Sequence, residues 1–119
     1  MSMKTDTLPA SIRFSNNFRM LWDELQKETR GNLANPNYIP SEQLQKKYNF
    51  KYSDGKYYIK GYLYTQPDFN KNDAENHEIS IVSYTDTLKS FSCPIFKIPV
   101  LINLSNISAI ELNKSVKLR

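Results

Sequence analysis

The stretch from Asn49 to Thr65 constrains the fold most, because its side chains alternate with the period of two that a β-strand imposes. Ser53-Asp54-Gly55 interrupts the alternation, and an Asp-Gly pair supplies the positive φ angles of a tight hairpin turn. In the longer strand, Ile59, Gly61 and Leu63 share one face. The opposite face carries an aromatic and basic set: Tyr58, Lys60, Tyr62 and Tyr64. The pattern predicts a hairpin with one core face and one aromatic, basic face.

A helical pattern precedes this hairpin. Apolar side chains recur at helical spacing in the order Phe14, Phe18, Leu21, Trp22 and Leu25. This spacing predicts an amphipathic helix over residues 11–28, with Gly31 as its stop signal. We expect the helix to pack against its own domain and to bury Phe18 and Trp22, because an exposed aromatic stripe would be an aggregation or partner site. A helix that binds a partner is the alternative.

The rest of the chain supplies further strands and short helices. Residues 32–40 contain prolines and asparagines typical of a loop, and Ser41 is a candidate cap for a short helix over 42–47. A polar crossover over 66–78 leads to strands at 79–84 and 91–98, joined by a Thr-Asp-Thr turn at 85–87. Pro99 suits the first turn of a helix, predicted over 100–105, and a final strand is predicted over 107–114.

This order of elements predicts an α+β fold. Its second part follows the ferredoxin-like βαββαβ plan, an antiparallel sheet of four strands preceded here by the N-terminal amphipathic helix. Residues 1–47 form the helix and linker, and residues 48–119 form the α+β part. We expect the two parts to pack as one unit.

Composition removes several classes of function. The chain of 119 residues has one cysteine and one histidine, so it cannot form an internal disulfide, and a structural zinc site is nearly excluded. No metal or cofactor is expected. Cys93 is interpreted as a small buried hydrophobe. No apolar run reaches the roughly 20 residues of a membrane span. The net charge of +4 does not form the dense basic stripe of a dedicated nucleic-acid binder.

The chain is expected to be non-catalytic by itself. His77 has no Ser-Asp pattern near it and is interpreted as a solvated loop residue. Two pairs of carboxylates, Asp23 with Glu24 and Asp73 with Glu75, lie in polar contexts where solvation is the default. The segments of a serine-protease triad are missing from this sequence.

Three stretches carry a resemblance to a known family. Residues 54–69, the run Phe-Lys-Ile-Pro-Val at 96–100 and the run Ile-Ser-Ala-Ile-Glu-Leu at 107–112 resemble the N-terminal pro-region of subtilisin-like serine peptidases of Bacteroidetes-type bacteria. The helix predicted over 11–28 resembles the leading helix of such precursors. The resemblance implies a propeptide-like inhibitor or folding-assistance module whose partner is a subtilisin-like serine protease.

The resemblance also implies how this partner is bound. The solvent face of the sheet, with Tyr58, Lys60, Tyr62 and Tyr64, would dock on the protease. The C-terminal tail would lie in the active-site cleft as an added strand, with Arg119 in the primary pocket. The tail consists of Lys114, Ser115, Val116, Lys117, Leu118 and Arg119. The resemblance further implies a secreted or periplasmic location. Residues 1–12 lack the apolar centre of a signal peptide, so the chain either is made without one and is cytoplasmic, or has lost it.

Two other functions remain open from the sequence. A ferredoxin-like sheet with aromatic and basic side chains can stack the bases of single-stranded RNA, and Lys60-Gly61-Tyr62-Leu63-Tyr64 resembles half of an RNA-recognition motif. That motif belongs on the third strand of its fold, whereas this segment precedes the first crossover, so binding to nucleic acid is the less favoured hypothesis. The other alternative is a protein-interaction domain without a protease partner.

Overall fold

The computed structural model describes residues 8–112 as an α+β domain built on a mixed sheet of six strands. In chain order the elements are β1 (Arg13–Phe14), α1 (Asn16–Thr29), α2 (Glu42–Lys47), β2 (Lys51–Ser53), β3 (Lys56–Thr65), α3 (Lys71–Glu75), β4 (Ser80–Ser83), β5 (Leu88–Pro94), a 3-10 turn (Ile95–Lys97), α4 (Ile98–Leu101) and β6 (Ile107–Leu112). The predicted α+β class is confirmed.

Strand β3 organises the sheet. The strand order is β1-β6-β3-β5-β4, and β2 also pairs with β3. Strand β5 pairs along Tyr58 to Tyr64 on one edge of β3, so β2 and β6 follow each other along the opposite edge. All of these pairings are antiparallel except that of β1 with β6, which is parallel. The sheet is therefore wider than the predicted four strands, and it is mixed instead of purely antiparallel.

The N-terminal helix begins later than predicted. Residues 13 and 14 form β1, and the side chain of Ser15 caps α1 by accepting a hydrogen bond from the Phe18 N–H at 3.2 Å. The rings of Phe14 and Phe18 stack with centroids 5.1 Å apart. The helical spacing of these two residues therefore reflects a contact between strand and helix.

Ser15 also joins the first and last described elements. Its N–H donates to the Ile110 carbonyl at 3.1 Å, and its hydroxyl accepts from the Leu112 N–H at 3.4 Å. This second bond joins residues 97 positions apart in the chain. The cap of α1 is thus fixed to β6.

Local turn chemistry explains the two hairpins. Asp54 and Gly55 have φ angles of 53° and 78°, which confirms the predicted tight turn between β2 and β3. In the turn between β4 and β5, the Thr85 hydroxyl accepts hydrogen bonds from the N–H groups of Thr87 and Leu88. Strand β5 ends earlier than predicted, at Pro94. Proline has no N–H to extend the ladder, and the chain continues into the 3-10 turn.

The hydrophobic core lies on one face of the sheet. Every helix from α1 to α4 contributes buried side chains to the same cluster as Ile59, Leu63 and Phe91 of the sheet. Trp22 and Phe18 are only 2% and 1% exposed, so the prediction that α1 buries its aromatic side chains is confirmed. Cys93 is buried and free, as predicted, and burial raises the pKa of its thiol well above the usual value. Within residues 8–112, no helix combines the length and apolar character needed to cross a membrane.

Candidate protein-docking surface

The face of β3 that points away from the core carries a row of aromatic and basic side chains. Tyr58, Lys60, Tyr62 and Tyr64 alternate with residues of the core face along the strand, as the sequence predicts. Lys60 and Tyr64 are exposed and the other two are half-buried. The described helices all pack on the opposite face. We call this surface, with the neighbouring outward residues of β4, β5 and β6, the open face.

Small side chains flank the row on the β5 side and, on the β6 side, beside Tyr64. The register places Ser92 opposite Lys60, Ser90 opposite Tyr62 and, on the other neighbouring strand, Ala109 opposite Tyr64. Because paired residues lie on the same side of a sheet, these short side chains leave the tyrosine rings standing above their surroundings. The tyrosine row is therefore a ridge on the open face, with a shallow hollow on either side of it.

These two hollows are lined by different strands. One, of about 390 Å³, lies between Tyr64 and the β1–β6 edge, where Arg13, Ser108 and Glu111 line it. The other, of about 310 Å³, lies on the β4–β5 side of the ridge. Its lining includes Lys60, Tyr62, Ser80, Val82, Tyr84, Ser90 and Ser92. Shallow hollows beside an aromatic ridge suit the side chains of a protein partner.

Gly61 brings the strands beneath this face close together. A Cβ atom at Gly61 would lie 2.1 Å from the backbone oxygen of Glu111 and 2.9 Å from the ring of Phe91. A side chain at this position would push β6 away from β3. The glycine that interrupts the tyrosine row in sequence is thus the residue that lets the last strand pack beside it.

The tail residues predicted to enter a protease cleft, Lys114 to Arg119, lie outside the described residues. The structure describes the strand that precedes them: β6 ends at Leu112, opposite Gly61 at the middle of β3.

The carboxylates of α1 act as structural anchors. Glu24 was expected to be merely solvated, but it accepts hydrogen bonds from Lys47 Nζ at 2.8 Å and from the Tyr48 hydroxyl at 2.7 Å. These bonds, first that of Lys47, lower the pKa of Glu24. One turn later, burial opposes ionisation of Glu28, but hydrogen bonds from Ser41 and then Tyr38 outweigh it and lower the pKa of that carboxyl. Both carboxylates tie residues 38–48 to α1.

His77 is exposed in the turn after α3, as expected for a solvated residue. Within residues 8–112, no group of three or more His, Cys, Asp and Glu side chains is placed to hold a metal ion.

The buried position of Lys89 was not predicted from the sequence. It is only 6% exposed, and its Nζ donates to Thr65 Oγ1 at 2.8 Å and to the Asp86 carbonyl at 2.7 Å. The signal was its spacing, since Lys89 shares the inward side of β5 with Phe91 and Cys93. The buried amine fixes the turn between β4 and β5 to the end of β3.

Comparison of the chain with protein-family models, with curated proteins and with solved structures gave no match. The functional interpretation therefore depends on the open face and on the sequence resemblance.

Proposed function

We propose that this domain is a propeptide-like inhibitor or folding-assistance module that binds a subtilisin-like serine protease through the open face. The observation that carries the proposal is the asymmetry of the sheet: among the described residues, every helix covers one face, and the tyrosine row stands on the other. Tyrosines are favoured in protein interfaces because they combine a large apolar ring with a polar end. In this proposal the domain performs no catalytic step itself.

The fold supports the proposal through its strand order. We infer that β3, α3, β4, β5, α4 and β6 form a ferredoxin-like βαββαβ unit. Its order β6-β3-β5-β4 with antiparallel neighbours is that of two interleaved split βαβ units. Strand β1, beyond β6, and strand β2, at the edge of β3, are then additions to this unit. Because ferredoxin-like sheets serve many functions, this topology supports the family resemblance without carrying a function.

The end of β6 supports the tail-binding part of the proposal. Strand β6 lies beside the tyrosine row, with Glu111 directly opposite Tyr62, and the tail follows its last residue, Leu112, closely in the sequence. We propose that residues 114–119 occupy the protease cleft as an added strand, with Arg119 in the primary pocket. An open face docked on the protease would hold this segment near the cleft and so reduce the entropic cost of ordering it.

Inhibition assays across a panel of bacterial subtilisin-like proteases test the proposal. We expect the full chain to inhibit at least one of them, and a chain without Lys117 to Arg119 to need a tenfold or higher concentration, because it loses backbone hydrogen bonds and a pocket side chain of about 1 kcal/mol each. The melting temperature should not change on this truncation. Equal inhibition by both chains would keep the docking of the open face and discard Arg119 as the anchor.

A matched pair of tyrosine variants tests the open face itself. Tyr64→Ala removes a side chain of the row that is 40% exposed, whereas Tyr52→Ala removes a tyrosine of β2 that is 62% exposed and lies outside the open face. We expect only the Tyr64 variant to weaken inhibition. Equal effects of the two substitutions would refute docking through this face.

The RNA-binding alternative predicts a different result. It is favoured by the row of tyrosines with Lys60, but the neighbouring strand β5 faces Lys60 and Tyr62 with Ser92 and Ser90. A second base would therefore lack an aromatic partner there. Salt-sensitive retention on single-stranded RNA, together with no inhibition of any protease, would overturn the inhibitor proposal in favour of RNA binding.

A further inference from the structure

The outer edge of β4 is an unprotected sheet edge. Strand β4 is last in the strand order, and among the described residues its only strand partner is β5. Natural proteins usually blunt such an edge with a lysine, a proline or a bulge, because its free backbone groups can pair with another strand. The segment Ser80-Ile81-Val82-Ser83-Tyr84 contains neither a charged residue nor a proline. Val82 and Tyr84 are moreover 55% and 59% exposed.

The hydrogen-bond pattern identifies which backbone groups of β4 face outward. The Tyr84 N–H donates to the Leu88 carbonyl at 3.0 Å, so the backbone groups of Tyr84 point toward β5. Because these groups alternate along a strand, those of Val82 and Ser80 also point toward β5. The N–H and C=O groups of Ile81 and Ser83 therefore point toward the free edge.

We propose that a second copy of this chain pairs with this edge, β4 against β4, in an antiparallel dimer with its two-fold axis at Val82. In this register Ile81 lies opposite Ser83 of the other copy, so all four outward groups of each edge find partners. A two-fold axis one residue earlier or later would leave Ser83 or Ile81 without a partner inside the strand. The inference is independent of the proposed protease partner.

Side-chain shape supports the same register. It places Tyr84 of each copy opposite Ser80 of the other, on the open face. Ser80 lines the hollow of about 310 Å³, together with Ser90 and Ser92. Tyr84 of one copy thus reaches the hollow lined by serines on the other copy, and the two-fold symmetry repeats the contact. No charged side chains oppose each other along the paired segment from Ser80 to Tyr84.

The contact is small, which determines the affinity we expect. An interface of one short strand pair and two tyrosines is below the size of stable complexes, so the dissociation constant should be on the order of 0.1–1 mM. Sedimentation equilibrium of the full chain between about 10 μM and 1 mM should show dimer formation that increases with concentration. A chain that remains monomeric at the upper concentration would overturn the proposal.

A charge at the two-fold axis provides the first specific test. Val82→Lys would place two lysines directly opposite each other, and we expect it to weaken dimerisation at least tenfold. Met20→Lys is the matched control, because it makes the same change of charge at an exposed site of α1 that is 45% accessible. Both substitutions lie at exposed positions, so circular dichroism should show the parental fold. Equal loss of the dimer in both variants would refute pairing through β4.

Cysteine cross-linking tests the register. In the proposed dimer Val82 of one copy lies opposite Val82 of the other. The two residues form a pair without direct hydrogen bonds, in which the Cα atoms are about 4.5 Å apart and a disulfide fits. Oxidation of Val82→Cys with diamide should therefore give a covalent dimer. Ser80→Cys should not, whereas the double variant Ser80→Cys/Tyr84→Cys should. Buried Cys93 does not compete for the oxidant. Equal cross-linking of the two single variants, or none in any variant, would overturn the proposal.

Discussion

Gly61 is the position at which one added methyl group should disturb the sheet most. A Cβ atom there would lie 2.1 Å from the Glu111 backbone oxygen and 2.9 Å from the Phe91 ring. The ring can rotate, but the carbonyl oxygen belongs to β6 and cannot move unless the strand moves. Overpacking of a core typically costs about 1–3 kcal/mol, and a contact with backbone belongs at the upper end of this range.

The net effect of Gly61→Ala follows from two opposing contributions. The substitution restricts the unfolded chain, which offsets about 0.4–1 kcal/mol of the overpacking. We therefore expect the free energy of unfolding to fall by about 2 kcal/mol. At roughly 4 °C for each kcal/mol in a domain of this size, the melting temperature should fall by roughly 8 °C. Urea denaturation measures the free energy, and hydrogen exchange should show the largest loss of protection in the amides of β6.

Gly55→Ala is the control for this prediction. Gly55 has a φ of 78°, but nothing lies within 4 Å of its added Cβ atom. Its substitution should cost only the backbone strain of about 1 kcal/mol and leave the exchange of β6 unchanged. If Gly61→Ala destabilises the domain no more than Gly55→Ala does, the close approach of β6 to β3 is not as the structure describes it.

Two further perturbations concern α1. Trp22→Ala should lower the free energy of unfolding by about 3–5 kcal/mol in chemical denaturation, because the side chain is buried. Met20→Ala, on the exposed side of α1, should change this free energy little. Equal stabilities of the two variants would contradict the docking of α1. The hydrogen bond from Lys47 lowers the folded-state pKa of Glu24 below its ordinary 4.5, so the stabilisation is present above pH 4.5 and is lost as the pH falls through the lowered pKa. The melting temperature of Glu24→Gln should therefore fall less than that of the parent between pH 7 and pH 3, and equal falls would contradict this contribution of Glu24.

The sequence predicts the elements of this fold better than their arrangement. Alternation and an Asp-Gly turn are local signals, so β2, β3 and the identity of the outward tyrosines could be read directly. Strand β1 could not, because Arg13–Phe14 is too short to alternate and Phe14 matches the spacing of α1. The parallel pairing of β1 with β6 depends on where α1 packs, which no local pattern contains.

The candidate surface was predictable to the same extent. The row on β3 follows from the sequence, but its two hollows do not, since they depend on Ser90, Ser92 and Ala109 lying opposite particular residues of β3. Such registers are known only when the strand order is known. The free edge of β4 could not be read from the alternation either, because alternation does not show which strand lies last in the sheet.

The bond between Ser15 and Leu112, 97 positions apart, has a consequence for biosynthesis. Translation proceeds from the N-terminus, so α1 leaves the ribosome long before the strand that holds its cap has been made. Until β6 emerges, Phe18 and Trp22 lack the part of the sheet against which α1 packs. Their exposure would be brief in a complete chain but permanent in a chain that stops short of β6. A nascent chain of this protein should therefore engage a chaperone through α1, and release from it should coincide with the synthesis of the last strand.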